Sequence, residues 1–213
     1  MKKINLKISA IIISGFILFS CNTSTPLTEQ KPTFDSMSAS LPVEDNVDRD
    51  DVFNYTNTSL ASDQEFVRAE KFSNDSIEDT FTVILPKGAI TKTKTTLIVS
   101  SKSGKIIYQH IFSTTELINE YDLGAIKTDK EMMDYIITKA GDVIGKGLVD
   151  LNTISDNDYL AIATKEAFTN YDLFMDMRAK GRRLLNYTLN LENHYYLGYS
   201  DKDKKVVTII ECC

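Results

Sequence analysis

The alternation of apolar and polar residues predicts two groups of β-strands separated by helices. Residues 65–72 and 80–85 alternate in polarity on either side of a short polar segment, which predicts a hairpin. Residues 95–100 and 105–112 predict a second hairpin, because a polar segment that ends in Gly104 joins them. Together these segments predict an antiparallel meander.

After residue 128 the apolar residues recur every three or four positions, which predicts helices. Thr128 and Glu131 fit a capping box, in which a hydroxyl and a carboxylate satisfy free amide groups at a helix start. The helix is predicted to end at Gly141. The residues it is predicted to bury are Met132, Met133, Ile136, Ile137 and Ala140. A further helical segment runs from about residue 156 to Gly181, either as one helix or as two with a break near Thr164.

Three strands follow at residues 182–191, 194–200 and 205–211, with a polar turn between the last two. The order of strands, helices and strands predicts an α+β fold. We expect one antiparallel sheet of about six to seven strands, with a helical insertion between the two strand groups. This single globular domain is predicted to span residues 52–213. Residues 21–51 are rich in Asn, Ser, Thr and Pro without an apolar period, which predicts a disordered tether.

The first twenty residues have the pattern of an export signal. Lys2, Lys3 and Lys7 precede an uncharged, largely apolar run at residues 8–19. A helix of this length rises only about 18 Å, whereas the hydrocarbon core of a membrane is roughly 30 Å thick. The run therefore predicts a signal peptide rather than a permanent membrane span.

The signal ends in Leu18-Phe19-Ser20-Cys21, which resembles the lipobox of bacterial lipoprotein precursors. This resemblance implies cleavage after residue 20, lipid transfer to the Cys21 thiol and acylation of the new amino terminus. The chain would then be held to a cell-envelope membrane by its lipid, with the outer membrane facing the periplasm as the expected location. The remainder resembles small uncharacterised lipoproteins of Gram-negative envelopes, and that resemblance implies no activity. A conventional secretory signal with a chance cysteine is the alternative.

The charge of the chain argues against nucleic acid as a partner. Removing residues 1–20 takes away three lysines and no acid, which leaves 21 basic and 30 acidic residues and a formal charge of −9. Nucleic acids and anionic lipid surfaces both attract basic proteins. The acidic balance is compatible with solubility, and also with an immunity-type or inhibitor lipoprotein that covers a basic toxin or enzyme.

The carboxyl-terminal hairpin offers the one set of residues that could carry thiol chemistry. If Asp201 pairs with Lys204 across the turn, His194 faces Glu211, and Cys213 lies on the same face. A thiolate beside an imidazole and a carboxylate can act as a nucleophile. This leaves a thiol-dependent enzyme or redox protein, using Cys213 or its neighbour Cys212 with His194, as an alternative function.

A non-catalytic binding domain for an envelope protein or a small ligand is the leading hypothesis. No nucleotide-binding, zinc-protease or serine-hydrolase motif is present, and we predict no cofactor and no metal site. His110 is predicted to be a half-buried strand residue. Tyrosine offers a flat apolar ring with one polar end, so a predicted binding face lies in the terminal strands. It consists of Tyr187, Tyr195, Tyr196 and Tyr199.

Overall fold

A computed structural model describes residues 53–156 and 158–212 of the chain. The predicted signal peptide, Cys21 and the predicted tether lie outside the described residues, as does Cys213. Within the described residues, no helix is long and apolar enough to cross a membrane.

The first half of the described chain contains the strands β1 Ser59–Leu60, β2 Gln64–Lys71, β3 Glu78–Leu85, β4 Gly88–Ala89, β5 Lys94–Ser100 and β6 Ile106–Ser113. Four of them form an antiparallel sheet in the order β2-β3-β5-β6, and β1 and β4 form a separate antiparallel pair. Alternate residues of β3 and β5 are buried on one face, as expected for strands with one side on a core. The predicted meander and both of its hairpins are confirmed.

Helix α1, Asp129–Gly145, covers this sheet and begins at the predicted capping box. The Thr128 hydroxyl accepts a hydrogen bond from the Glu131 N–H at 3.2 Å, and the Glu131 carboxylate accepts one from the Thr128 N–H at 3.0 Å. One stripe of the helix is buried, and it comprises Met132, Ile136, Ala140, Val143 and Ile144.

The prediction that Gly141 ends this helix is wrong, because the helix continues one further turn to Gly145. Gly141 instead permits close packing: a Cβ atom there would lie 3.2 Å from the ring of Phe66 on β2. The chain leaves the helix at Gly147, whose φ of +77° places it in the left-handed region that favours glycine.

A charged side chain of the first sheet caps the end of α1. Arg68 on β2 donates hydrogen bonds to the carbonyls of Ile144 and Gly145, at 3.0 and 2.8 Å. These carbonyls belong to the last turn of a helix, where backbone acceptors lack partners within the helix. Arg68 also donates from Nε to the Glu70 carboxylate at 2.9 Å, and Glu70 in turn lies 3.6 Å from Arg183.

The second half of the described chain contains the strands β7 Leu148–Asp150, β8 Arg183–Leu189, β9 Asn193–Ser200 and β10 Lys205–Cys212. They form another four-stranded antiparallel sheet, in the order β10-β9-β8-β7. Helices α2, Tyr159–Ile162, and α3, Tyr171–Ala179, lie between β7 and β8. This segment was predicted to form either one helix or two with a break near Thr164. The structure has the break, because the backbone of Thr164 is extended.

The α+β class is consistent with this architecture, but the prediction of one sheet with six to seven strands is wrong. The described residues contain ten strands in three antiparallel sheets. The predicted helical insertion is also interrupted, because β7 lies between α1 and α2. With only three residues, β7 is too short to show a period of two in the sequence.

The buried side chains form two clusters on opposite faces of the second sheet. The larger cluster lies between the first sheet, α1 and the second sheet, and includes Phe81, Leu97 and Leu197. The smaller one lies beneath α3 and includes Phe174 and Ile209. The second sheet is therefore covered on both faces, which explains why its strands carry apolar residues at adjacent positions.

A β-bulge at Ile209 connects β10 to the segment before α3. Thr208 pairs with Leu197, whereas Ile210 pairs with Tyr196, so one extra residue lies on β10. The carbonyl of Ile209 accepts a hydrogen bond from the Thr169 N–H at 2.9 Å. Ile209 is therefore unpaired in the sheet, and its carbonyl instead anchors the segment that leads into α3.

We predict that Arg68→Ala lowers the free energy of unfolding by about 2 kcal/mol, because it leaves two helix-end carbonyls without their donor and removes one of the two guanidinium groups beside Glu70. Urea unfolding measures this change. Lys130→Ala is the matched control, since it removes an exposed ion pair with Asp134 and should leave the free energy of unfolding nearly unchanged. Equal losses in the two variants would contradict the prediction.

Candidate functional site

The structure contradicts one pairing of the predicted thiol set, whereas Cys213 itself lies outside the described residues. His194 pairs with Cys212 across β9 and β10, and Glu211 pairs with Tyr195, so the predicted pairing of His194 with Glu211 is wrong. The bulge at Ile209 causes the difference, because one extra residue shifts the register of β10 by one position after Thr208. His194 Nδ1 lies 2.9 Å from the Thr188 hydroxyl instead.

The four tyrosines of the predicted binding face do not share one face of the sheet. Tyr195 and Tyr199 pack against the larger core cluster, and Tyr187 is a buried member of it, with 2% of its surface exposed. Tyr196 packs against the smaller cluster on the other side. Adjacent residues of a strand point in opposite directions, so Tyr195 and Tyr196 cannot act on the same surface.

Tyr187 is the centre of a buried polar cluster between the two sheets. Its hydroxyl lies 2.8 Å from His110 Nδ1 and 3.1 Å from the Tyr108 hydroxyl. The ring of Tyr195 stacks on that of Tyr187, with centroids 4.8 Å apart and planes 13° from parallel. The prediction that His110 is a half-buried strand residue is confirmed.

Burial keeps this cluster uncharged. It lowers the pKa of His110 below its ordinary 6.5, an effect that the nearby carboxylates of Glu116 and Glu211 oppose. Burial also raises the pKa of Tyr108 and that of Tyr187. At neutral pH the cluster is therefore a set of neutral hydrogen bonds that holds the Tyr187 ring in place.

Beside Tyr187 lies a cleft of about 250 Å³ between α1 and the edge of β8. This volume is slightly below the range of about 300–1,000 Å³ typical of small-molecule sites, so the cleft suits a small ligand. The residues that line it are Leu117, Asn119, Lys139, Asp142, Val143, Lys146, Asn186, Tyr187, Thr188, Asn190, Leu191 and His194.

The cleft exists because β7 is shorter than the strand beside it. β7 pairs with β8 only as far as Leu185, whereas β9 pairs with β8 as far as Leu189. No described strand lies next to β8 beyond Leu185 on the β7 side. The Asn190 N–H donates to the carbonyl of Glu116 at 2.7 Å, which closes the gap at its far end. The exit of α1 closes the near end.

Asn186 lies on the edge of β8 that borders this cleft. Its Oδ1 atom is shielded from solvent and has no hydrogen-bond partner among the described residues. Leaving such a group without a donor costs about 1–3 kcal/mol. The side chain points to the face of β8 opposite α1, because its neighbours Leu185 and Tyr187 both belong to the cluster that α1 covers.

The charged residues of the cleft belong to one face of α1. Lys139 forms an ion pair with Asp122 at 2.9 Å. Asp142 on α1 and Lys146, which follows the last residue of the helix, form no ion pair among the described residues. Both side chains are exposed. The carboxylates of Asp122 and Asp142 both raise the pKa of Lys139, so the charges along this wall of the cleft partly balance one another.

A strained residue forms the rim of the cleft. Leu191 has a φ of +79°, and half of its surface is exposed. A bulky residue in this left-handed region is a true outlier, and such strain concentrates at functional sites. Leu191 thus combines backbone strain with an exposed apolar side chain at the mouth of the cleft.

The sequence alone did not identify this cleft. Asp142 and Lys146 lie beyond Gly141, the predicted end of the helix, but α1 in fact continues to Gly145. The available signal was their spacing of four residues, which places them on one helix face. The signal for Asn186 was that it is a polar residue within the largely apolar sequence of β8. Among the described residues, no group of His, Cys, Asp and Glu could hold a metal ion.

The half-buried imidazole of His110 predicts a pH dependence of stability. The folded state resists protonation of His110, so the unfolded state binds more protons below the ordinary pKa of 6.5. The contribution of His110 to stability is therefore complete only well above pH 6.5, and it is lost as the pH decreases from about 7.5 through 6.5. Urea unfolding across this range measures the slope, which His110→Gln should reduce. His194→Gln is the control, and a loss of slope there but not in His110→Gln would contradict the prediction.

Comparisons with known proteins give no assignment for this chain. No protein-family model matches it. Searches of curated proteins and of solved structures also give no match.

Proposed function

We propose that this protein is a lipid-anchored binding protein of the cell envelope, and that the cleft between α1 and β8 is its binding site. Lipid on Cys21 holds the chain to the membrane, and residues 21–51 connect the lipid to the folded domain. The domain binds its ligand without chemical conversion. Export and lipidation rest on the resemblance of Leu18-Phe19-Ser20-Cys21 to a lipobox.

The observation that carries the binding site is the cleft of about 250 Å³ beside the edge of β8, which β7 leaves unpaired beyond Leu185. An unpaired strand edge presents backbone N–H and C=O groups to a ligand. The cleft is also lined by polar residues and has a strained residue, Leu191, at its rim. Concave sites with a few convergent polar groups are typical of ligand-binding pockets.

The tether predicts a simple change of location. In a Gram-negative host, Cys21→Ser should move the protein from the membrane pellet to the soluble fraction and abolish incorporation of labelled palmitate, because the thiol that accepts the lipid is lost. Cys213→Ser is the matched control and should keep both properties. Membrane attachment of the Cys21→Ser protein would contradict lipid anchoring.

The cleft predicts a position-dependent crosslink. A photoreactive residue in place of Leu191, at the rim, should form a covalent adduct with the ligand in intact cells, and mass spectrometry would detect it whether the ligand is a protein or a small molecule. A photoreactive residue at Ile111 is the control, since this side chain is similarly exposed, at 54% against 50%, but lies outside the cleft. Equal adducts at both positions, or none at Leu191, would contradict the proposed binding site.

A further inference from the structure

We infer that the ligand of the cleft is the extended backbone of a short peptide or chain end, which adds to the second sheet as a strand beside β8. This inference rests on the proposed function, since it assumes that the cleft is the binding site. It adds the chemical class of the ligand, which follows from the direction of the backbone groups of β8 and from the length of its open edge.

The backbone groups of alternate residues along β8 point away from β9. Just before the strand, the carbonyl of Arg182 accepts a hydrogen bond from the Leu151 N–H at 3.2 Å, on the β7 side. Just after the strand, the Asn190 N–H donates to the carbonyl of Glu116 at 2.7 Å, also away from β9. Neither pairing of β8 contains a bulge, so the even-numbered residues between these two points have the same orientation.

Thr188 therefore presents both its N–H and its C=O to the cleft. The pairing of β7 with β8 ends at Leu185, and within the described residues no other strand lies beside Thr188 on that side. The side chain supports this orientation, since the Thr188 hydroxyl lies 2.9 Å from Nδ1 of His194, its partner on β9. Side chains come closest in antiparallel pairs whose backbone groups do not bond to each other.

A peptide backbone is the ligand that matches this pair of groups. In an antiparallel sheet, the N–H and the C=O of one residue bond to the C=O and the N–H of a single residue on the neighbouring strand. Addition of a strand to a sheet edge is a general mode of peptide recognition, in which the main chain provides affinity and alternate side chains provide specificity. A lipid chain offers neither group, and a bare ion offers at most one of them.

The open edge is short, which limits the peptide to a few residues. From Asn186 to Asn190 a strand rises about 13 Å, at roughly 3.3 Å per residue. The exit of α1 lies at one end of this stretch, and the hydrogen bond between Asn190 and Glu116 lies at the other. A folded domain or the middle of a long strand would collide with these ends, whereas about three residues of a chain end fit between them.

The walls of the cleft favour apolar side chains on one side of the peptide. The residue bonded to Thr188 points its side chain to the face of Thr188 and His194, and its two neighbours point to the face that α1 covers. Leu117 and Val143 belong to the cluster on that face, and both line the cleft. We therefore expect peptides that carry an apolar residue on each side of the one that pairs with Thr188.

The test uses the full chain, purified in detergent and labelled with ¹⁵N-threonine and ¹⁵N-tyrosine, and follows the backbone amides of Thr188 and Tyr187. Thr188→Val and Tyr187→Phe identify the two resonances by their loss. In the free protein the Thr188 amide should exchange its hydrogen faster than the Tyr187 amide, because the Tyr187 N–H points to β9. The probes are tripeptides with leucine, isoleucine or valine at the first and third positions, at millimolar concentration, and tripeptides with serine there are the controls.

We expect at least one apolar tripeptide to shift the Thr188 resonance in a saturable way and to slow the exchange of this amide about tenfold or more. N-methylation then tests whether the peptide backbone makes the contact. A methyl group on the central amide removes the donor to the Thr188 carbonyl and should weaken binding about tenfold or more. The same group on the third amide, whose N–H points away from β8, should leave the affinity nearly unchanged.

Two variants test the same contact from the side of the protein. Thr188→Pro removes the N–H and should weaken binding about tenfold, and proline is tolerated at strand positions whose N–H has no partner in the sheet. Thr188→Val keeps the backbone groups and should bind the tripeptide as tightly as the parent protein does.

Equal effects of N-methylation at the two positions would overturn the inference, as would equally slow exchange of Thr188 and Tyr187 in the free protein. If no tripeptide shifts the Thr188 resonance but the photoreactive residue at Leu191 still forms its adduct, the cleft binds another class of ligand. In that case the inference fails and the proposed binding site stands. Absence of both signals would refute the two together.

Discussion

The position of α1 depends on the way that Arg68 closes its end. The guanidinium crosses from β2 to the last carbonyls of the helix, and the Glu70 carboxylate beside it also reaches Arg183 on β8. The first sheet, the helix and the second sheet thus meet at one charged group. Because the guanidinium presents its donors in a fixed plane, this contact sets both the distance between β2 and the end of α1 and their relative orientation. Lys146 follows immediately, so one wall of the cleft is positioned by this contact.

The cleft concentrates the features that a fold optimised only for stability would avoid. β8 extends beyond its neighbour β7, Asn186 buries an oxygen without a donor, and Leu191 has a left-handed backbone. Each of these costs free energy, and all three lie around the same small volume. Departures from local rules that occur together in this way are expected where function, rather than packing, selects the residues.

Local patterns predicted the elements better than they predicted contacts between elements. The alternation in β2 and β3 and the capping box at Thr128 depend on neighbouring residues, and the structure confirms both. The end of α1 could not be predicted, because Gly141 is explained by the ring of Phe66, which is distant in the sequence. The cleft was missed for the same reason. Its walls come from α1 and β8, and no local period shows that they face each other.

The bulge at Ile209 has a consequence for how the end of the chain tolerates change. Ile209 and Ile210 are both fully buried, and the carbonyl of Ile209 holds the segment before α3. An apolar substitution at either position would change the volume of the buried side chain, but it would not change which residues after Ile210 face each side of the sheet. Loss of one residue from this pair would shift the remaining chain and turn Glu211 toward the core beneath α3. The terminal strand should therefore vary in composition far more freely than in length.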